Sequence, residues 1–143
     1  MITKAITKAF AVANKRGWDR IYWAIDLHDT VLKSTYTVES AKEFYPGAVD
    51  TLQLLTARKD IVLIMYTSSH VADIVEYVKL FKANDIRFDY VNENPQVPNT
   101  EYADFRTKMY FNVLVDDKAG FDADTDWKDI AVTVLSQPTL ISI

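Results

Sequence analysis

Three apolar runs, each closing on polar side chains, constrain this chain more than any other feature. RIYWAIDL (residues 20–27) delivers Asp26, IVLIMYT (61–67) delivers Thr67, and NVLVDD (112–117) delivers Asp116 and Asp117. Runs rich in β-branched and aromatic residues, without polar alternation, predict strands buried on both faces, as in a parallel sheet. In an open parallel sheet the ligand crevice lies at the carboxyl ends of the strands. Side chains far apart in sequence are therefore expected to meet there.

The segments between these runs carry helical periodicity. ITKAITKAFAVANKR places Ile2, Ile6, Phe10 and Ala13 close to helical spacing, with Gly17 as a stop. This predicts a helix within residues 1–17 that packs on the sheet or extends from it. Pro46-Gly47 opens AVDTLQLLTAR, with Val49, Leu52 and Leu55 on one face. Val71, Ile74, Val75, Val78 and Phe81 define an amphipathic helix. FDYV (88–91) is a short strand candidate, and DTDWKDIAVTVL predicts a last helix capped by one of its Asp or Thr residues, with its VTVL end open between helix and strand.

Residues 33–45 are polar and predict a loop with room for a short helical piece. NENPQVPNTEY, with two prolines and three asparagines, is a longer loop. Strands alternating with helices predict one α/β domain spanning residues 1–143. The expected form is a three-layer α/β/α sandwich around a parallel, Rossmann-like sheet.

Composition narrows the chemistry. A chain of 143 residues, 49% hydrophobic and 25% charged, is that of an ordinary globular domain. With no cysteine and two histidines, His28 and His70, there is no disulfide framework, thiolate site or His-rich metal cluster. Any metal would be held mainly by oxygen, which favours a hard cation such as magnesium. The net charge of −4 weighs against a general nucleic-acid or membrane-surface binder. No apolar run approaches the roughly 18 residues of a membrane span, and the first residues do not resemble a signal peptide. A cytoplasmic protein is expected, and oligomerisation is compatible with the sequence.

An Asp at a strand end can act as a nucleophile toward phosphorus. Crowding Asp26 with Asp116 and Asp117 is unfavourable without a cation, which magnesium would supply. Thr67 and Ser68 offer hydroxyls, and backbone N–H groups opening the next helix form an anion cradle. A lysine would complete the charge balance on a phosphoryl group.

The ordered set Asp26-Leu27-His28-Asp29-Thr30, IVLIMYT closing on Thr67, a lysine, and NVLVDD closing on Asp116-Asp117 resembles the haloacid dehalogenase superfamily. FYPGAVDTLQLL is similar to the helix that commonly follows that family's first motif. The likeness covers about residues 20 to 125. It implies a magnesium-dependent phosphatase working through an aspartyl-phosphate on Asp26, acting on a phosphorylated substrate. Magnesium would be held by Asp26, Asp116, Asp117 and the backbone carbonyl of His28. Thr67, Ser68 and Lys108, eight residues before Asp116, would bind the phosphate. His28 stands where the family usually has a second Asp and would take over its acid/base work, since imidazole titrates near neutrality. Asp29 stands where Gly is common.

A cap domain, when present in this family, is inserted after the first motif or after the third strand. The gaps here, about residues 33–45 and 92–105, are too short for a full cap. That implies an open site able to admit substrates larger than a small metabolite. Two rivals remain: a binding or scaffold module that keeps the fold and metal but has weak or no activity, and a transferase passing the phosphoryl group to an acceptor other than water.

Overall fold

A computed structural model describes residues 1–37, 39 and 41–141. The chain runs α1 (Ile2–Arg16), β1 (Ile21–Asp26), α2 (Ala48–Ala57), β2 (Ile61–Tyr66), α3 (Val71–Ala83), β3 (Tyr90–Val91), β4 (Val113–Val115) and α4 (Trp127–Leu135). A 3₁₀ turn at Asp117–Ala119 follows β4. The four strands form one sheet in the order β3-β2-β1-β4, every pair parallel. Helices flank this sheet, giving the expected α/β sandwich.

β1 is central in register. Asp26 pairs with Tyr66 of β2, and Ile25 pairs with Val115 of β4. Residues 26, 67 and 116 therefore emerge along one edge, because parallel strands in register end together. Between β1 and α2 the described residues fold back on themselves and form no cap. Lys33 N–H donates to the Glu43 carbonyl, and Tyr45 N–H donates to that of Val31. No helix forms among the described residues of 33–45; positions 38 and 40 of that expected piece lie outside them. Residues 92–112 likewise contain no helix or strand.

The first helix buries Ile2, Ile6, Phe10 and Ala13, the four positions whose spacing predicts it, and Gly17 closes it at φ 70°. Gly47 precedes α2 at φ 79°, where any side chain would be strained and its Cβ would lie 3.4 Å from Trp127 Cβ. The core gathers Trp23 and Ile25 of β1, Leu63 and Met65 of β2, Val113 and Val115 of β4, and Trp127 and Ile130 of α4. Removing such side chains from water contributes about 1.5–3 kcal/mol each.

A polar knot ties the opposite end of the sheet. Asp60, with its side chain 1% exposed, accepts from Arg58 Nε at 2.9 Å and Nη2 at 2.7 Å, and from the Leu140 amide. Arg58 Nη1 also donates to the carbonyls of Val134, in the last turn of α4, and of Gln137 just beyond it.

Two helical expectations change. The third helix forms where its periodicity places it, but its buried residues are Tyr77 and Phe81. Val71, Val75 and Val78 are exposed, at 78%, 47% and 44%. Tyr77 and Phe81 present the larger apolar surface, and Phe81 meets Phe44 and Phe88. At α4, Asp126 occupies the cap position without making the capping hydrogen bond. Its carboxylate instead accepts from the Asp122 amide at 2.8 Å and tightens the preceding turn.

Candidate active site at the carboxyl edge of the sheet

Asp26 ends β1 half-buried, directly opposite the β4 exit. Carboxylate oxygens of Asp26, Asp116 and Asp117 all lie within 4.8 Å of one another. Thr30, fully buried, stands among them. Its Oγ1 donates to Asp26 Oδ2 at 2.9 Å, lies 3.2 Å from Asp117 Oδ1, and accepts the Asp117 backbone N–H at 3.0 Å. The loop carrying Thr30 is anchored from α4: Trp127 Nε1 donates to the Thr30 carbonyl at 2.9 Å. Asp116 Oδ1 accepts the Lys118 amide, which turns the chain into the 3₁₀ segment.

The electrostatics follow from this crowding. Burial pushes the Asp26 carboxyl from 3.8 up to about 6; the Thr30 hydrogen bond opposes the rise, and the charges of Asp116 and Asp117 add to it. An all-oxygen donor set in which one carboxyl resists ionisation fits a hard divalent cation, whose charge would restore the carboxylate.

Asp29 adopts φ 60°, a conformation in which Gly costs nothing and Asp is tolerated better than most side chains. Its carboxylate accepts from the Ser34 amide and from the Tyr36 and Tyr45 hydroxyls. Burial raises its pKa, but these hydrogen bonds outweigh it and hold the group below the ordinary carboxylate value.

His28 leaves the acid cluster and reaches toward α3. Its Nε2 lies 2.7 Å from the Tyr77 hydroxyl, with the rings edge to face. No hydrogen bond among the described residues ends on its backbone carbonyl.

Thr67 follows β2 at the same edge. Its Oγ1 is 2.7 Å from Ser69 Oγ and also accepts the Ser69 amide. The Asn92 side chain clamps its backbone, accepting the Thr67 N–H at 2.8 Å and donating to its carbonyl at 2.7 Å. That changes the anion cradle expected from sequence, because the Thr67 N–H is already used. The hydroxyls of Thr67, Ser68 and Ser69 remain as the groups at that strand end. Lys108 lies on an exposed bend of the 92–112 segment and makes no hydrogen bond or ion pair with any described residue. The structure thus gathers Asp26, Asp116, Asp117 and Thr30, sets Thr67 and Ser68 just past the end of the neighbouring strand β2, and leaves Lys108 unengaged among the described residues.

Tyr77, Ser69 and Asn92 are the partners that sequence reasoning missed. Nothing local links Tyr77 to a His 49 positions earlier. Asn92 carried a faint signal, since an Asn just past a strand favours the left-handed turn it adopts at φ 54°.

No family model matches the chain, and no curated protein does. Among solved structures it is similar to a conserved protein from Bacteroides thetaiotaomicron, at TM-score 0.64 and 23% identity over 84% of this chain and 93% of that one. At this identity the likeness supports the fold alone.

Proposed function

We propose that this chain is a magnesium-dependent phosphatase acting through a phosphorylated Asp26. The observation that supports it best is the meeting of Asp26, Asp116 and Asp117 oxygens within 4.8 Å at the carboxyl edge of a parallel sheet. Asp26, Asp116, Asp117 and the His28 carbonyl would hold the cation. When bound, it would neutralise the acids and draw charge from a phosphoryl oxygen.

Thr30 fixes Asp26 through Oδ2. The other carboxylate oxygen is left to attack phosphorus as the bond to the ester oxygen breaks. The leaving oxygen takes a proton, which His28 is positioned in sequence to give. Water then attacks the phosphorus of the acyl phosphate, releasing inorganic phosphate and restoring the Asp26 carboxylate. Thr67 and Ser68 hydroxyls would bind the non-bridging oxygens, and Lys108 would have to swing in from its exposed bend to join them.

The direct test is turnover of an aryl phosphate with magnesium. Asp26→Asn should abolish phosphate release, and full activity in that variant would refute the mechanism. A second reading, a scaffold that keeps the metal without efficient turnover, draws support from the engagement of His28 Nε2 with Tyr77. It predicts magnesium-induced stabilisation with no hydrolysis of any phosphoester.

A further inference from the structure

A cleft of about 350 Å³ is walled by the segment after Thr30 on one side and the residues after Thr67 and the start of α3 on the other. His28 connects it to the acid cluster: it sits two residues past Asp26 and also lines the cleft. None of Asp26, Asp116 and Asp117 is in either this cleft's wall or that of a larger apolar groove of about 730 Å³ between α3 and β3, but the larger groove also has no residue of the 26–30 segment in its wall.

The chemistry of the smaller cleft is distinctive. Hydroxyl-bearing side chains, Ser34, Thr35, Tyr36, Ser68, Ser69 and Tyr77 among them, make up most of its described wall. The Tyr77–His28 pair, with Tyr77 only 2% exposed, gives it a fixed polar floor. Its remaining charged or titratable side chains are His70, Asp73 and Glu39, and no Lys or Arg is among the described residues lining it. A site without cations disfavours a second phosphate or a carboxylate on the substrate. Thr35 and Tyr36 already donate, to the Glu39 carbonyl and to Asp29, and keep lone pairs to accept with, while the Ser34 and Ser68 hydroxyls make no hydrogen bond with a described residue and can do both. Such a wall matches a ligand with many hydroxyls of its own. The volume falls near the lower end of the roughly 300–1,000 Å³ of ligand pockets, suited to one sugar-sized group.

We propose that this cleft receives the leaving group, and that the substrate is a monophosphate ester of a neutral, polyhydroxylated small molecule such as a single sugar or polyol. The inference rests on the phosphatase reading above and narrows the large-substrate expectation that an uncapped site carries. The phosphoryl group would lie over Asp26 while the hydroxylated portion extends past His28 toward α3.

The test compares a hexitol 6-phosphate with n-hexyl phosphate, whose leaving groups differ mainly in hydroxyl content, and with a hexitol bisphosphate. The hexitol monophosphate should be turned over with a kcat/KM at least about tenfold above both others. Ser34→Trp, which fills the cleft, should erase that preference by lowering kcat/KM on the hexitol monophosphate at least about tenfold. Independently of activity, free hexitol should shift the amide resonances of Ser34, Ser68 and His70 in wild type and in Asp26→Asn, but not in Ser34→Trp. Equal turnover of the two monophosphates, with Asp26→Asn inactive, would overturn the substrate class and leave the phosphatase reading standing. Activity surviving in Asp26→Asn would overturn the phosphatase reading and this inference with it. Absence of hexitol-induced shifts at the three amides would overturn the cleft as a polyol site.

Discussion

The Thr30 hydroxyl is a hinge pin for Asp26: Oγ1 donates to Asp26 Oδ2 at 2.9 Å while accepting the Asp117 backbone N–H at 3.0 Å. One buried side chain thereby couples the end of β1 to the turn after β4, the two segments that supply the acid cluster.

Replacing Thr30 with Val keeps the shape and removes both hydrogen bonds. The Asp117 amide and one Asp26 oxygen lose a buried partner, so stability should fall by about 1–3 kcal/mol. Urea denaturation measures that loss. Isothermal titration should register weaker magnesium binding, since the carboxylates are no longer held in one arrangement.

Magnesium and pH should be coupled through Asp26. Its folded-state pKa, raised from 3.8 to about 6, lies above the unfolded value. The unfolded chain therefore loses this proton first, and the folded state is relatively penalised as pH climbs from about 4 through 6. A cation on the carboxylates relieves that penalty. The rise in Tm produced by magnesium should be larger at pH 7.5 than at pH 5, in scanning calorimetry at constant ionic strength.

Arg58 should matter to stability and not to chemistry. Arg58→Met strands the Asp60 carboxylate, 1% exposed, and removes the donors that hold the chain after α4, at an expected cost of about 3–5 kcal/mol. Burial raises the Asp60 pKa, but the Arg58 guanidinium and the Leu140 amide outweigh it and hold the carboxyl below 3.8. The stabilisation from this depressed carboxyl is present above the ordinary value and is lost as pH falls through the lowered one. Wild type should therefore show an acid-induced loss of stability that is smaller in Arg58→Met.

His28 separates an adapted site from a weakened one. If imidazole carries the leaving-group proton, His28→Ala should lower kcat by about 10²–10⁴ with a smaller change in KM. His28→Asp should also lose rate, because Tyr77 is placed to hold a ring nitrogen at 2.7 Å. A faster His28→Asp enzyme would mark the histidine as a handicap.

The sheet and the acid cluster were legible in sequence for one physical reason. Parallel strands buried on both faces announce themselves as apolar runs, and register aligns their last residues. Asp26, Thr67 and Asp116-Asp117 could thus be placed on one edge without knowing any contact. The buried face of α3 could not be read so well. Val71, Val75 and Val78 satisfy helical periodicity as well as Ile74 and Phe81 do, and only packing against Phe44 and Phe88 selects the face. Tyr77 was invisible for the same reason, because its value comes from His28. Only its position along the chain points to Lys108, and an exposed loop lysine has no packing to make it predictable.

The most direct measurement is binding of beryllium fluoride, a phosphoryl mimic, followed by fluorine NMR. The wild-type protein should give a bound-fluoride signal that requires magnesium and disappears in Asp26→Asn. A wild-type protein that forms no adduct in magnesium, or an adduct that persists unchanged in Asp26→Asn, would contradict Asp26 as the phosphoryl acceptor.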